Sequence, residues 1–125
     1  MTAANSQPKA SIRTGVVMDP ISGINIKKDS TFAMMLEAQA RGHELLYMEP
    51  SDLETRDGHS FASMRQVEVR DDPDDWFSLG ESTQQPLADL DIILMRRDPP
   101  FDLDYIYLTY MLELAEDEGV LVINR

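Results

Sequence analysis

The sequence predicts a single α/β domain built on a mainly parallel, doubly wound sheet with a β-hairpin excursion. Three observations lead there. The chain has 125 residues and is 42% hydrophobic, enough for one domain with a core. Short apolar runs of strand length occur in two pairs, one near each end. A stretch with helical signals separates the members of each pair, which is the β-α-β pattern of parallel strands.

Residues 1–10 (MTAANSQPKA) offer nothing to bury and read as a disordered extension; residues 11–125 read as the domain. Ser11–Met18 is the first strand, stopped by Asp19-Pro20, because proline removes a donor and biases its predecessor away from helix. Ser30 reads as a helix N-cap, Thr31–Arg41 as the helix and Gly42 as its stop. Phe32, Met35, Leu36 and Gln39 fall near one stripe of that helix. His43–Glu49 is the second strand, ended by Pro50.

Leu53–Arg70 breaks the pattern. Asp57-Gly58 is a turn signal, and the loose alternation of Phe61, Met64, Val67 and Val69 reads as a hairpin. Asp71–Asp75 is a charged loop, Trp76-Phe77 plugs an edge of the core, and Gly80–Pro86 reads as a flexible loop. Asp91–Met95 is continuously apolar, as a central strand covered on both faces should be. Asp102 or Asp104 can cap a helix running to Glu118, with Ile106, Tyr110 or Met111, Leu114 and Ala115 inward. Gly119 ends it, and Val120–Asn124 is the last strand.

The net charge is −12. Residues 1–62 carry six Lys/Arg against eight Asp/Glu, and residues 63–125 carry five against fifteen. So acidic a surface repels phosphate backbones, which excludes nucleic acid as a partner class. No apolar run approaches a membrane span, and no secretion signal opens the chain. With no Cys, disulfide and thiolate chemistry are excluded and a cytoplasmic location is expected.

The simplest doubly wound sheet places the first strand beside Asp91–Met95 at its centre. Ligands then bind outside the strand ends where the winding reverses. The loops that flank this point are Met18–Ser30 and Arg96–Asp102. The first is long for a βα connection, where about 2–6 residues is usual, and it leads into a helix N-terminus that favours an anion. The second, RRDPPFD, carries two Arg that can fork onto a carboxylate. The bland readings are that Arg96 or Arg97 pairs with Asp19, Asp98 or Asp102, and that Lys27 and Lys28 are solvated. Asp19 and Asp98 gain no His or Glu to make a metal set. His43 and His59 have no nucleophile partner and read as structural or exposed. There is no Gly-rich phosphate loop and no nucleophile elbow. From the residues alone, the domain binds a small molecule and its chemistry is not visible.

At the two loops the chain also resembles a family. GVVMDPISGINIKKDSTFAMMLEAQARGHELLYMEPSDL and PLADLDIILMRRDPPFDLDYIYLTYMLELAEDEGVLVIN resemble the opening region of bacterial glutathione synthetases, in the family's order and spacing. The segment Glu54–Gln85 is a weaker match. The resemblance implies a three-layer Rossmann-like, pre-ATP-grasp domain of an ATP-dependent ligase. That ligase joins γ-glutamylcysteine to glycine through an acyl phosphate in glutathione biosynthesis. ATP and Mg (or Mn) would be held by ATP-grasp domains that follow, so the chain reads as a truncated piece or a domain standing alone, inactive by itself. Motif positions that match are Asp19, Pro20, Asn25, Lys28, Asp29 and Ser30 in the first loop, and Arg96, Asp98, Pro99, Pro100 and Asp102 in the second. Of the two loops, Asp19, Pro20, Asn25, Lys28, Ser30, Arg96, Arg97 and Asp98 are the expected substrate-binding residues. Arg97 stands where the family commonly has Lys, so only its positive charge carries over. Family habit implies a homo-oligomer.

Two further classes compete with the ligase fragment. One is a stand-alone, non-catalytic module that binds an amino acid, a peptide or a partner protein. The other is a different ATP-grasp peptide ligase with a similar first domain. The ligase-fragment reading predicts an exposed apolar patch where further domains would dock.

Overall fold

A computed structural model describes residues 11–96 and 103–124. The expected extension, residues 1–10, lies outside them. So does most of the second loop, including Arg97, Asp98 and Asp102.

The elements follow in the order β1 (Arg13–Met18), α1 (Ser30–Ala40), β2 (Glu44–Met48), β3 (Leu53–Arg56), β4 (His59–Val69), β5 (Phe77–Pro86), β6 (Ile92–Arg96), α2 (Leu103–Asp117) and β7 (Leu121–Asn124). Four strands, β2, β1, β6 and β7, lie side by side and parallel, with β1 and β6 central. This is the arrangement expected from the two β-α-β units winding outward. The crossovers run in opposite directions along the sheet. A common handedness therefore puts their helices on opposite faces.

Side-chain parity shows the two faces. Val16 and Met18 of β1, Leu45 and Tyr47 of β2 and Leu94 of β6 pack with Phe32 and Met35 of α1. Their neighbours Val17, Leu46, Met48, Ile93 and Met95 pack with Leu108, Leu112 and Ala115 of α2. β4 serves both faces, giving Ala62 and Met64 to the α2 side and Val67 and Val69 to the α1 side. Strands covered on both sides explain the continuous apolar runs of β1 and β6.

The excursion is antiparallel. β3 and β4 form a hairpin across Asp57 and Gly58, whose φ values of 52° and 79° suit the twist of a two-residue loop. β4 pairs along one edge with β5, and along the other with β3 and then β2. The register with β5 slips opposite Gln66, where Gly80 and Glu81 face one residue of β4.

Four expectations need correction. Residues 80–86 are not a flexible loop but half of β5, the edge partner of β4. Their side chains are mostly exposed on both faces, so burial left no alternation to read. The N-cap of α1 is Asp29, whose Oδ1 accepts from the Phe32 N–H at 2.8 Å; Ser30 is the first helical residue. On α2, Ile106 and Tyr110 point outward, 50% and 55% exposed, while Leu108 and Leu112 are buried. Apolar residues surround α2, so its sequence does not mark the inner stripe. Its outer face leaves Leu103, Ile106, Tyr107 and Tyr110 exposed. Asp104 lies inside the helix and is not its cap.

Candidate functional site

β1 and β6 end together. Met18 is the register partner of Arg96, so the chain leaves both strands at the same level. A cleft of about 570 Å³ opens there, lined by residues of the first loop, the start of α1 and Arg96.

The first loop is long but held at several points. Asp19-Pro20 turns into a single helical turn, Ile21–Gly23, closed by Gly23 N–H to Pro20 O at 3.0 Å. Ile21 inserts its side chain into the core and is 2% exposed. Its N–H donates to the Tyr47 hydroxyl at 3.1 Å, and its C=O accepts from Trp76 Nε1 at 2.9 Å. Burial without partners would be costly for both groups. The Tyr47 hydroxyl in turn donates to Glu49 Oε2. Burial first, then that carboxylate, pushes the phenol up to about 12, so it stays protonated.

Further along, a turn forms as the N–H groups of Lys28 and Asp29 reach Asn25 O, each at 3.0 Å. Asn25 Oδ1 accepts from Lys27 N–H at 3.1 Å. Asp29 then caps α1. Arg96 joins the two sides of the cleft: Nε donates to Thr31 Oγ1 at 3.0 Å and Nη2 to Ser30 Oγ at 2.8 Å. A guanidinium thus lies beside the N-terminal turn of α1, where free N–H groups already favour negative charge.

The structure brings five of the expected residues into one cleft: Asp19, Pro20, Lys28, Ser30 and Arg96. Asn25 shapes the turn next to them. Arg97 and Asp98 fall outside the described residues. Arg96 grips the hydroxyls of Ser30 and Thr31 at the start of α1, and Asp98 and Asp102, two of the partners expected for it, fall outside the described residues. Sequence reasoning missed Thr31, Tyr47 and Trp76. Only their proximity to the first loop marks them, and no local pattern encodes it.

The remaining candidates have structural tasks. His43 Nδ1 bonds the buried Thr14 hydroxyl at 2.9 Å, and His59 Nδ1 pairs with Glu118 at 3.1 Å. Among the described residues, no cluster of three or more His, Cys, Asp or Glu could hold a metal ion, and no helix is long and apolar enough to cross a membrane.

Residues 12–125 match the family model described as "Prokaryotic glutathione synthetase, N-terminal domain". The chain belongs to this family. Among curated relatives, the glutathione synthetase of Yersinia pestis is 60% identical over 114 residues. Those of Shewanella oneidensis and Escherichia coli K12 are each 55% identical over 114 residues. Each alignment covers 91% of this chain and 36% of the relative. The chain therefore spans little more than a third of the relatives it matches. The family match includes both loops at the cleft and the weaker-matching segment between them.

Proposed function

We propose that this domain is the substrate-binding N-terminal part of an ATP-dependent glutathione synthetase, acting in glutathione biosynthesis. The complete enzyme joins γ-glutamylcysteine to glycine and releases ADP and phosphate. In this reading the four parallel strands and their two helices are a three-layer Rossmann-like, pre-ATP-grasp unit. The enzyme works in the cytoplasm and assembles as a homo-oligomer.

The observation that carries the reading is the convergence of two family segments on one cleft between β1 and β6. That is where a doubly wound sheet binds ligands. Its chemistry suits γ-glutamylcysteine, which bears two carboxylates and an ammonium group. Lys28, Arg96 and the N–H groups of α1 attract a carboxylate. Asp19, an exposed residue of the same cleft, accepts from the ammonium.

ATP and Mg (or Mn) supply the phosphoryl transfer that activates the acyl group. The described residues do not fit them: they include no carboxylate cluster for a cation, and the chain has no Gly-rich phosphate loop. ATP-grasp residues beyond this chain are assigned that task.

The test is phosphate release by the full-length enzyme. It should depend on both γ-glutamylcysteine and glycine, and residues 1–125 alone should give none. Lys28→Ala should raise KM for γ-glutamylcysteine by about tenfold, the loss of roughly one charge-assisted contact, with KM for ATP unchanged. Turnover that does not need γ-glutamylcysteine would overturn the assignment.

A further inference from the structure

Ile21 sits at the centre of the first loop, flanked by cleft-lining residues on both sides: Asp19 and Pro20 before it, Gly23 and Ile24 after it. It does not hold its place through contacts within the loop alone. Its buried N–H and C=O are each bonded by an aromatic side chain from elsewhere in the chain. Tyr47 is 26 residues away, on β2, and Trp76 is 55 residues away, just before β5. Both lie in the core layer beneath α1, with Tyr47 buried and Trp76 packed against it. The aromatic side chains approach Ile21 through a backbone donor and a backbone acceptor, so the peptide planes on either side of Ile21 are fixed in orientation as well as position. Those planes determine where Pro20 and the Gly23 turn present themselves to the cleft.

We infer that Tyr47 and Trp76 are positioning residues for the cleft, acting through Ile21 to set the conformation in which the first loop meets its ligand. The inference rests on the proposed function for the identity of that ligand, but not for the geometry. Tyr47 and Glu49 form one arm. The hydroxyl spends its proton on Glu49, which leaves an oxygen lone pair for the Ile21 N–H. Trp76 is the only tryptophan in the chain, and its indole N–H is a donor with no acceptor role, matched to the Ile21 carbonyl.

The experiment compares Tyr47→Phe and Trp76→Phe with Val67→Ala in the full-length enzyme. Val67 lies in the same core layer but is bonded to nothing in the loop. Tyr47→Phe should raise KM for γ-glutamylcysteine by about tenfold, in keeping with the sensitivity of bound geometry to small displacements. Trp76→Phe should act in the same direction, and KM for ATP should stay within about twofold for both. Val67→Ala should lower the melting temperature while leaving both KM values alone. Amide hydrogen exchange supplies a readout that needs no substrate: residues 19–24 should exchange faster in Tyr47→Phe and not in Val67→Ala. If the wild-type enzyme fails to make glutathione, the functional reading falls while exchange still decides the positioning role. Unchanged exchange at residues 19–24 in both aromatic variants, or KM shifts in Val67→Ala equal to theirs, would overturn it.

Discussion

The side-chain amide of Gln39 bonds both backbone groups of Val69: Nε2 donates to Val69 O, and Oε1 accepts from Val69 N–H, each at 2.8 Å. The amide acts as one further residue of strand laid against the end of β4, tying α1 to the excursion. Val69 is 1% exposed, so water cannot easily replace the amide. Gln39→Ala should cost about 1–3 kcal/mol, the penalty for stranding buried polar groups, measured by urea denaturation. Gln39→Glu should cost at least as much, because a carboxylate would then face the Val69 carbonyl. A loss below about 0.5 kcal/mol for both, the range of ordinary surface changes, would show that the pair contributes nothing.

The identity of the α1 cap yields a paired prediction. Asp29→Ala should destabilise by about 0.5–2 kcal/mol, because the Phe32 N–H loses its acceptor. Ser30→Ala should cost less than about 0.5 kcal/mol, since its hydroxyl is exposed and accepts from Arg96 without capping α1. Thermal melts followed by circular dichroism separate the two; the opposite ranking would restore Ser30 as the cap.

Gly15 of β1 lies close against side chains of its neighbours. A β-carbon there would stand 2.6 Å from Leu90 Cδ1 and 2.8 Å from Met48 Cε. Both obstacles are tips of side chains, so Gly15→Ala should be tolerated at a cost of about 1–3 kcal/mol. Gly15→Val should cost more. Equilibrium unfolding of the two variants gives the test, and a neutral Gly15→Val would mean the contact gives way freely.

Tyr47 predicts an alkaline limit. Its phenol is pushed up to about 12 in the folded protein from 10.0. Below pH 10 both states hold the proton, and its contribution to stability is complete. Between pH 10 and about 12 the unfolded chain loses the proton while the folded one keeps it, so stability falls as pH rises. The urea midpoint should therefore drop over this range more steeply in the wild type than in Tyr47→Phe. Parallel curves would mean that the phenol titrates normally.

Arg96 links the two strands of the cleft to α1. Arg96→Lys keeps the charge but cannot reach the Thr31 and Ser30 hydroxyls as a fork. In the full-length enzyme it should raise KM for γ-glutamylcysteine by about threefold to tenfold, with Arg96→Ala well above it, since each tenfold is about 1.4 kcal/mol. Steady-state kinetics decide the order, and equal values for the two variants would reduce Arg96 to scaffold.

The sheet was largely legible because its signals are local or follow from chain topology. The apolar runs of β1 and β6 announce buried central strands, and the β-α-β order places β1 beside β6, as observed. β5 was not legible, since an edge strand with Ser82, Thr83, Gln84 and Gln85 exposed or half-exposed has no apolar period. The inner stripe of α2 was hidden because tyrosines and aliphatic residues occupy every side of it. At the site, motif segments announce Asp19, Lys28, Ser30 and Arg96. Tyr47 and Trp76 are silent, because a hydrogen bond to a distant backbone leaves no pattern in either segment.

The pairing of Thr14 with Ile92 has a consequence for how the domain comes into being. The antiparallel meander from β3 to β5 closes over short loops and can form early, whereas the centre of the sheet must wait for partners 78 positions apart. Such distant pairing slows folding, because loop-closure entropy is lost before contacts repay it. On the ribosome, a nascent chain whose β6 has not yet emerged has β2 on one side of β1 but nothing on the other, and no second wall for the cleft. The cleft between β1 and β6 therefore takes shape only once β6 is available. A chain stalled before that point should expose the bare side of β1 to chaperones.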